Sequence, residues 1–255
     1  MNKKPAKKSL KPVLLIVAFL LWTAAAILIS QLAVVFLLYL LLGRETLSTP
    51  VWTTVANFLV YALALFLIIF VPPRLFKKPK SPLNKTWATS REELGLKNLP
   101  TWVDLGLAPL GLFLSLILAS VALAALSKLF PGLNLTEAQD VGYKFLASGL
   151  DRTVAFFALC VLAPIAEELI FRGFLYGKLR AKISGKYSLP LSIFLVSLLF
   201  ALLHAQLNVG ITVFIMSLVL CGLREITGTI YSGILLHILK NTIAFVLIYI
   251  VGTGF

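Results

Sequence analysis

The stretch Val161–Leu175, VLAPIAEELIFRGFL, sets two adjacent glutamates and an arginine inside a run that is otherwise almost wholly apolar. What those charges do depends on the medium around them, and the composition decides the medium. With 60% of 255 residues hydrophobic, the chain has more apolar surface than one soluble core could cover. Pro12–Gly43, Thr46–Pro73 and Leu105–Ser127 are uncharged, and each is long enough for the roughly 20 residues that cross a bilayer as helix. A fourth span begins near Thr153 and contains the opening stretch. From Tyr187 to Leu223 there is no formal charge with His204 neutral, which is too long for one span and divides at Gln206–Gly210, QLNVG. The last span, Thr229–Val251, is interrupted only by His237 and Lys240. The sequence therefore predicts an all-α, polytopic transmembrane helical bundle of seven spans. An eighth is expected if Leu133–Leu150 docks as an amphipathic or re-entrant segment.

The net charge of +13 does not mark a nucleic-acid partner, because of where it lies. The tail before residue 12, the loop Arg74–Lys97, the stretch Lys178–Lys186 and Arg224 hold seventeen of the 23 Lys and Arg. The opposite side of the predicted bundle holds only Arg44, Lys128, Lys144 and Arg152. That is a positive-inside bias, which places the N-terminus and these segments in the cytosol. The first apolar run is too long for a signal peptide and lacks a cleavage site, so it is read as retained. In SREELGL, Ser90 and Glu93 have capping-box spacing, and a short interfacial helix is expected there. Cys160 and Cys221 fall within apolar spans and are expected to be small core residues without a disulfide.

A charge near the bilayer centre costs on the order of 2.5–3.5 kcal/mol on insertion scales, so Glu167, Glu168 and Arg172 must be partnered. Glu168 and Arg172 are four apart, share a helix face and can neutralise each other. Glu167 lies about 100° around the helix and is left without a partner by that pairing. Both histidines of the chain sit in the late spans. His204 ends FALLH, one turn after Phe200, and His237 begins HILKN, one turn before Asn241.

Helix rise brings these groups to one level. If the fourth helix ends near Lys182 and the fifth begins at Ser188, Glu167 and His204 both lie about 22–24 Å from the intervening turn. Asn241 then lies roughly 20 Å above Gly228, with His237 a turn lower. A carboxylate, two imidazoles and a carboxamide at one depth suit amide hydrolysis. Glu can take a proton from water, His can position that water, and Asn can donate to an oxyanion. Glu167, His204 and His237 also form a set that could bind zinc with one position open for water. There is no H-E-x-x-H and no G-x-S-x-G, which disfavours a soluble-type zincin or a hydrolase-fold serine enzyme.

The motifs E-E-x-x-x-R at Glu167–Arg172, F-x-x-x-H at Phe200–His204 and H-x-x-x-N at His237–Asn241 occur in that order on three late helices. Together they resemble the CPBP family, the CAAX proteases and bacteriocin-processing enzymes, also called ABI, which include the Ras-converting CAAX endopeptidases. The resemblance covers residues 140–251; residues 1–12 read as a basic tail and 13–130 as three generic spans with the basic loop 74–98. It implies an intramembrane endopeptidase of the bacterial cytoplasmic membrane, reached from the cytosol, acting on a peptide or protein substrate, lipidated or not. By that analogy Glu167 is the general base on a water shared with His204, and His237 and Asn241 form the oxyanion hole. Glu168 and Arg172 are then the supporting pair. The family is commonly described as metalloproteases, and the resemblance leaves zinc open. Lys240, inside the third motif, is expected to snorkel or to pair with a carboxylate. Two other classes compete: a non-enzymatic immunity or scaffold protein of the same fold, and a proton-coupled transporter, which would show repeats not seen here.

Overall fold

The computed structural model describes residues 11–75, 86–135, 137, 143, 146 and 148–252. The tail before residue 11, the middle of the basic loop and half of Leu133–Leu150, where an eighth segment was expected, lie outside the described residues. Among the described residues seven helices follow in order: α1 Lys11–Leu47, α2 Pro50–Leu75, α3 Trp102–Leu129, α4 Gly149–Lys182, α5 Ser188–Leu202, α6 Leu207–Thr227 and α7 Tyr231–Val251. Six are long and apolar enough to cross a membrane, and α5 is a shorter apolar helix. The outward faces carry large apolar side chains such as Phe36, Phe113 and Phe157, as lipid contact requires. Cys160 and Cys221 are buried and free.

The helix ends follow from local chemistry. α1 runs four residues past the predicted Gly43, which breaks the helix with φ 76°. Pro50 opens α2, where its missing N–H costs nothing. Thr101 and Asp104 start α3 with a capping box, and Ser148 and Asp151 start α4 with another. α4 ends at Lys182 and α5 starts at Ser188, as the level argument required.

α4 is not a uniform α-helix. It widens to π-helix over Phe157–Leu162 and again over Leu169–Leu175, leaving only Ala163–Glu168 in α geometry between them. Pro164 explains the first widening, because it brings no N–H to the helical ladder and crowds the preceding turn. The two glutamates therefore stand on a short α segment flanked by two π stretches, a distortion that often accompanies functional sites.

One end of the bundle is knitted shut. Asp104, buried at the start of α3, accepts from Thr101 and also from Thr229 at 2.9 Å and Ser232 at 2.7 Å. These bonds fix α3 to the turn between α6 and α7. The loop after residue 86 lies over the same end. Buried Lys178 of α4 reaches Ala88 O and, at 3.2 Å, Glu93, while Arg224 of α6 donates to the carbonyls of Glu92 and Glu93. Gly177 is required by this approach, since a Cβ there would stand 2.6 Å from Glu93 O. The expected interfacial helix at Ser90 is instead a single turn: Ser90 and Glu93 make the reciprocal capping bonds, but Gly95 at φ 72° ends the turn at once.

Candidate active site

Three inward-facing elements and one helix end meet around a partly open cavity of about 250 Å³. α2 brings Tyr61, α4 brings Glu167, α7 brings His237 and Asn241, and His204 comes from the connection between α5 and α6. All four residues singled out as catalytic candidates line this one cavity.

Glu168 and Arg172 make the expected pair, with Arg172 Nη1 2.9 Å from Glu168 Oε1 and both side chains fully buried. The guanidinium lies over the Phe200 ring at 4.6 Å, so α5 also supports the pair. The same Glu168 oxygen is 3.3 Å from His237 Nδ1. Glu168 thus does more than neutralise Arg172. A carboxylate facing Nδ1 favours the proton there and turns Nε2 of His237 toward the cavity. Gly233, one turn before His237, makes the approach possible, because a Cβ there would meet Glu168 Oε2 at 2.8 Å.

Glu167, left without a partner by the sequence reading, has one. The Tyr61 hydroxyl of α2 donates to its Oε1 at 2.7 Å, and its Oε2 faces His237 Nε2 at 3.8 Å. Tyr61 was missed because α2 was read as a generic span. A signal was present: Asn57 and Tyr61 are four apart, so they share a face in an apolar helix, and both line the cavity.

His204 departs from its predicted place within a helix. α5 stops at Leu202, and His204 lies in the turn that follows, with Nδ1 2.8 Å from Phe200 O and Ala205 at φ 53°. A non-glycine residue in that region is strained, and the sharp turn holds the imidazole over the cavity at the helix end. The rings of His204 and His237 both stand edge-on to Phe200, at 4.8 Å and 6.2 Å.

Asn241 donates to Leu159 O at 2.8 Å, which leaves its second N–H for the cavity. Lys240 lines the cavity beside Glu167 and has no hydrogen bond or ion pair of its own among the described residues. Among the described residues no group of three or more His, Cys, Asp or Glu side chains gathers closely enough to hold a metal ion. Glu167, His204 and His237 share a cavity, and each imidazole has Nδ1 engaged, on Phe200 O and on Glu168, with Nε2 left over on each ring.

A second, smaller cavity of about 150 Å³ meets Glu167 from the other side, lined by Ala64, Ile170, Phe171 and Phe200, while the larger one extends toward the start of α4. It continues through Ala158 and Leu159 of α4, Asn57 of α2 and Ile248 and Tyr249 of α7. These residues lie toward the start of α2 and α4 and the end of α7, away from the sealed end that carries Lys178 and Arg224. The loop after residue 86 packs over the basic end.

No curated protein and no solved structure matches the chain significantly. Residues 149–243 match the family of type II CAAX prenyl endopeptidases, Rce1-like. The match runs from the start of α4 to Ile243 of α7, and so includes every helix that carries one of the three motifs; over that stretch the chain, a multi-pass integral membrane protein, is similar to CAAX-type proteases, which supports the resemblance to the CPBP family.

Proposed function

We propose that the chain is an intramembrane endopeptidase in which Glu167 activates a water for attack on a peptide carbonyl. The observation that carries this reading is the Glu167 carboxylate facing a polar cavity within the bundle, held from behind by Tyr61 and flanked by His237 and His204. Tyr61 occupies Oε1, which leaves Oε2 to take the proton of the attacking water. His204, whose Nδ1 is fixed on Phe200 O, presents Nε2 to the same water. His237, aimed by Glu168, and the remaining N–H of Asn241 are donors for the oxyanion. His237 donates from Nε2 when both ring nitrogens carry a proton, with Nδ1–H directed at Glu168. The proton collected by Glu167 passes to the leaving amine, and the carboxylate is restored.

This scheme needs no metal, and the side-chain arrangement supports it, since the three zinc candidates do not converge as a ligand set. The substrate is a peptide or protein segment at the membrane. The experiment is cleavage of an internally quenched peptide by purified protein in liposomes, with Glu167→Gln as the control. Wild-type turnover that is lost in Glu167→Gln and kept after chelation is the expected result. Turnover in neither protein would favour the non-enzymatic reading, and loss on chelation with recovery on zinc addition would favour a metal-bound water.

A further inference from the structure

We propose that Lys240 is a specificity-determining residue whose ammonium binds a carboxylate of the peptide substrate, about two residues from the scissile bond. The scissile bond in this assignment rests on the proteolytic reading, while the cation site itself stands on separate observations.

The first is depth. Lys240 lies nine residues after Tyr231 and eleven before Val251, the two ends of α7. At 1.5 Å per residue it is about 14 Å from one end and about 16 Å from the other. A four-methylene stem is too short to carry the ammonium to either end, so the snorkelling expected from the sequence is not open to it. A cation at that depth is costly and marks a polar pathway or a ligand site.

The second is the missing partner. Among the described residues, Glu167 is the one acid that lines the catalytic cavity, and both its oxygens face other groups. Tyr61 donates to Oε1 at 2.7 Å, and Oε2 faces His237 Nε2 at 3.8 Å. Pairing with a carboxylate, the other expectation for Lys240, is therefore not met within the described chain. Its three N–H donors are open to a group that enters the cavity.

The third is room. Lys240 and Val213 line both the catalytic cavity and a smaller one of about 110 Å³, which Leu123 of α3 and Asn208 and Thr212 of α6 complete. A carboxylate on the ammonium thus has space on either side. The cavity across Glu167 offers no such place, because apart from Tyr61, Glu167 and His204 its wall is apolar, with Ile27, Ala64, Ile170 and Phe171. An anion there would lose its hydration with no cation to replace it.

Helix geometry sets the register. Lys240 is next to Asn241 and three residues after His237, and side chains three apart on a helix have Cβ atoms about 5–6 Å apart. An extended peptide advances about 3.3–3.6 Å per residue. A carbonyl held by His237 and Asn241 therefore leaves a carboxylate on Lys240 about two residues away. An acidic side chain and a free C-terminus both supply that group.

The test is peptide binding to the full chain in detergent, in a Glu167→Gln background so that turnover does not intervene. One peptide carrying a neutral dye is made in four forms, with Asp or Asn at its centre and a free or amidated C-terminus, and binding is read by anisotropy. A carboxylate form is expected to bind about 10-fold more tightly than the Asn amide, with the difference removed by Lys240→Met and kept by Lys240→Arg. If Lys240→Met does not fold, Lys240→Gln gives the same reading. A gain confined to Asp assigns the site to a side chain, one confined to the free acid assigns it to the C-terminus, and a gain in both shows that either serves. Equal binding of the four forms, no binding of any, or a gain that survives removal of the ammonium would overturn the proposal. Cleavage of the same peptides by the wild type separates the two readings. Selective binding without cleavage removes the hydrolase and leaves the subsite, whereas cleavage of all four with equal KM and equal binding removes the subsite and leaves the hydrolase.

Discussion

Asn241 of α7 donates to the main-chain oxygen of Leu159 at 2.8 Å, and that oxygen has no partner within its own helix. In the π register of this stretch the Ala163 N–H goes to Ala158 O, so Leu159 O would fall to residue 164. Residue 164 is proline and brings no N–H. An orphan carbonyl inside a membrane is costly, and Asn241 removes the cost while fixing α7 against α4 beside Glu167.

From this relationship, Asn241→Leu is expected to destabilise the protein by about 1–3 kcal/mol, the cost of an unsatisfied buried acceptor. Pro164→Ala restores an N–H at the position Leu159 O needs. In a thermal-unfolding cycle the pair should be coupled, with Asn241→Leu costing about 1 kcal/mol less in the Pro164→Ala background. Additive effects would show that Leu159 O does not depend on Asn241.

Glu168 and Glu167 should separate by what their loss does. Glu168→Gln leaves Arg172 charged and unpaired, with an expected cost of about 3–5 kcal/mol, and it also releases His237. Glu167→Gln keeps an acceptor for Tyr61 and is expected to melt near the wild-type temperature while losing turnover. The double variant Glu168→Met with Arg172→Met should be more stable than either single change, because no buried charge is left alone. Melting curves in detergent for the wild type and each variant give these values, and a wild-type melting temperature for Glu168→Gln and for the single Met variants would remove the buried pair as a stabilising feature.

Much of this site was legible because charge in a membrane has few explanations. The spacing of Glu168 and Arg172, and the helix ends at Lys182 and Ser188, follow from helix periodicity and from where basic residues stop an apolar run. Rise per residue placed Glu167, His204 and Asn241 at similar depths, and all three line one cavity. What escaped depends on contacts between distant segments. Tyr61 is an ordinary tyrosine until α2 packs against α4, and Glu168 meets His237 only because Gly233 leaves room. The first π stretch of α4 follows from one proline whose effect on register depends on the helix around it. Depth arithmetic says how far Glu167 lies from each end but not which end is sealed, which the loop over Lys178 and Arg224 decides.

Tyr61 should matter to turnover more than to folding. Its hydroxyl holds Oε1 of Glu167, so that Oε2 is aimed at His237 and the cavity. A hydrogen bond to a charged group contributes about 1.5–3 kcal/mol, so Tyr61→Phe is expected to lower kcat by roughly 10- to 100-fold with little change in melting temperature. Peptide-cleavage kinetics decide this, and an unchanged kcat would show that Glu167 is aimed without Tyr61.

Lys240 is the one Lys or Arg among the described residues that line the cavity, and it stands on the same helix face as His237, three residues earlier. A cation in a water-poor cavity attracts an anionic group strongly, because little solvent screens it. Peptides carrying a carboxylate near the scissile bond should therefore bind better than their amide counterparts. Lys240→Met is expected to raise KM for an Asp-containing peptide by about 10-fold, the effect of roughly 1.4 kcal/mol, and to leave the matched Asn peptide nearly unchanged. kcat should move little in either case, since Lys240 is assigned to binding and not to proton transfer. Equal changes in KM for the two peptides would mean that Lys240 reads no charge on the substrate, and a fall in kcat alone would place it with the groups that act on the water.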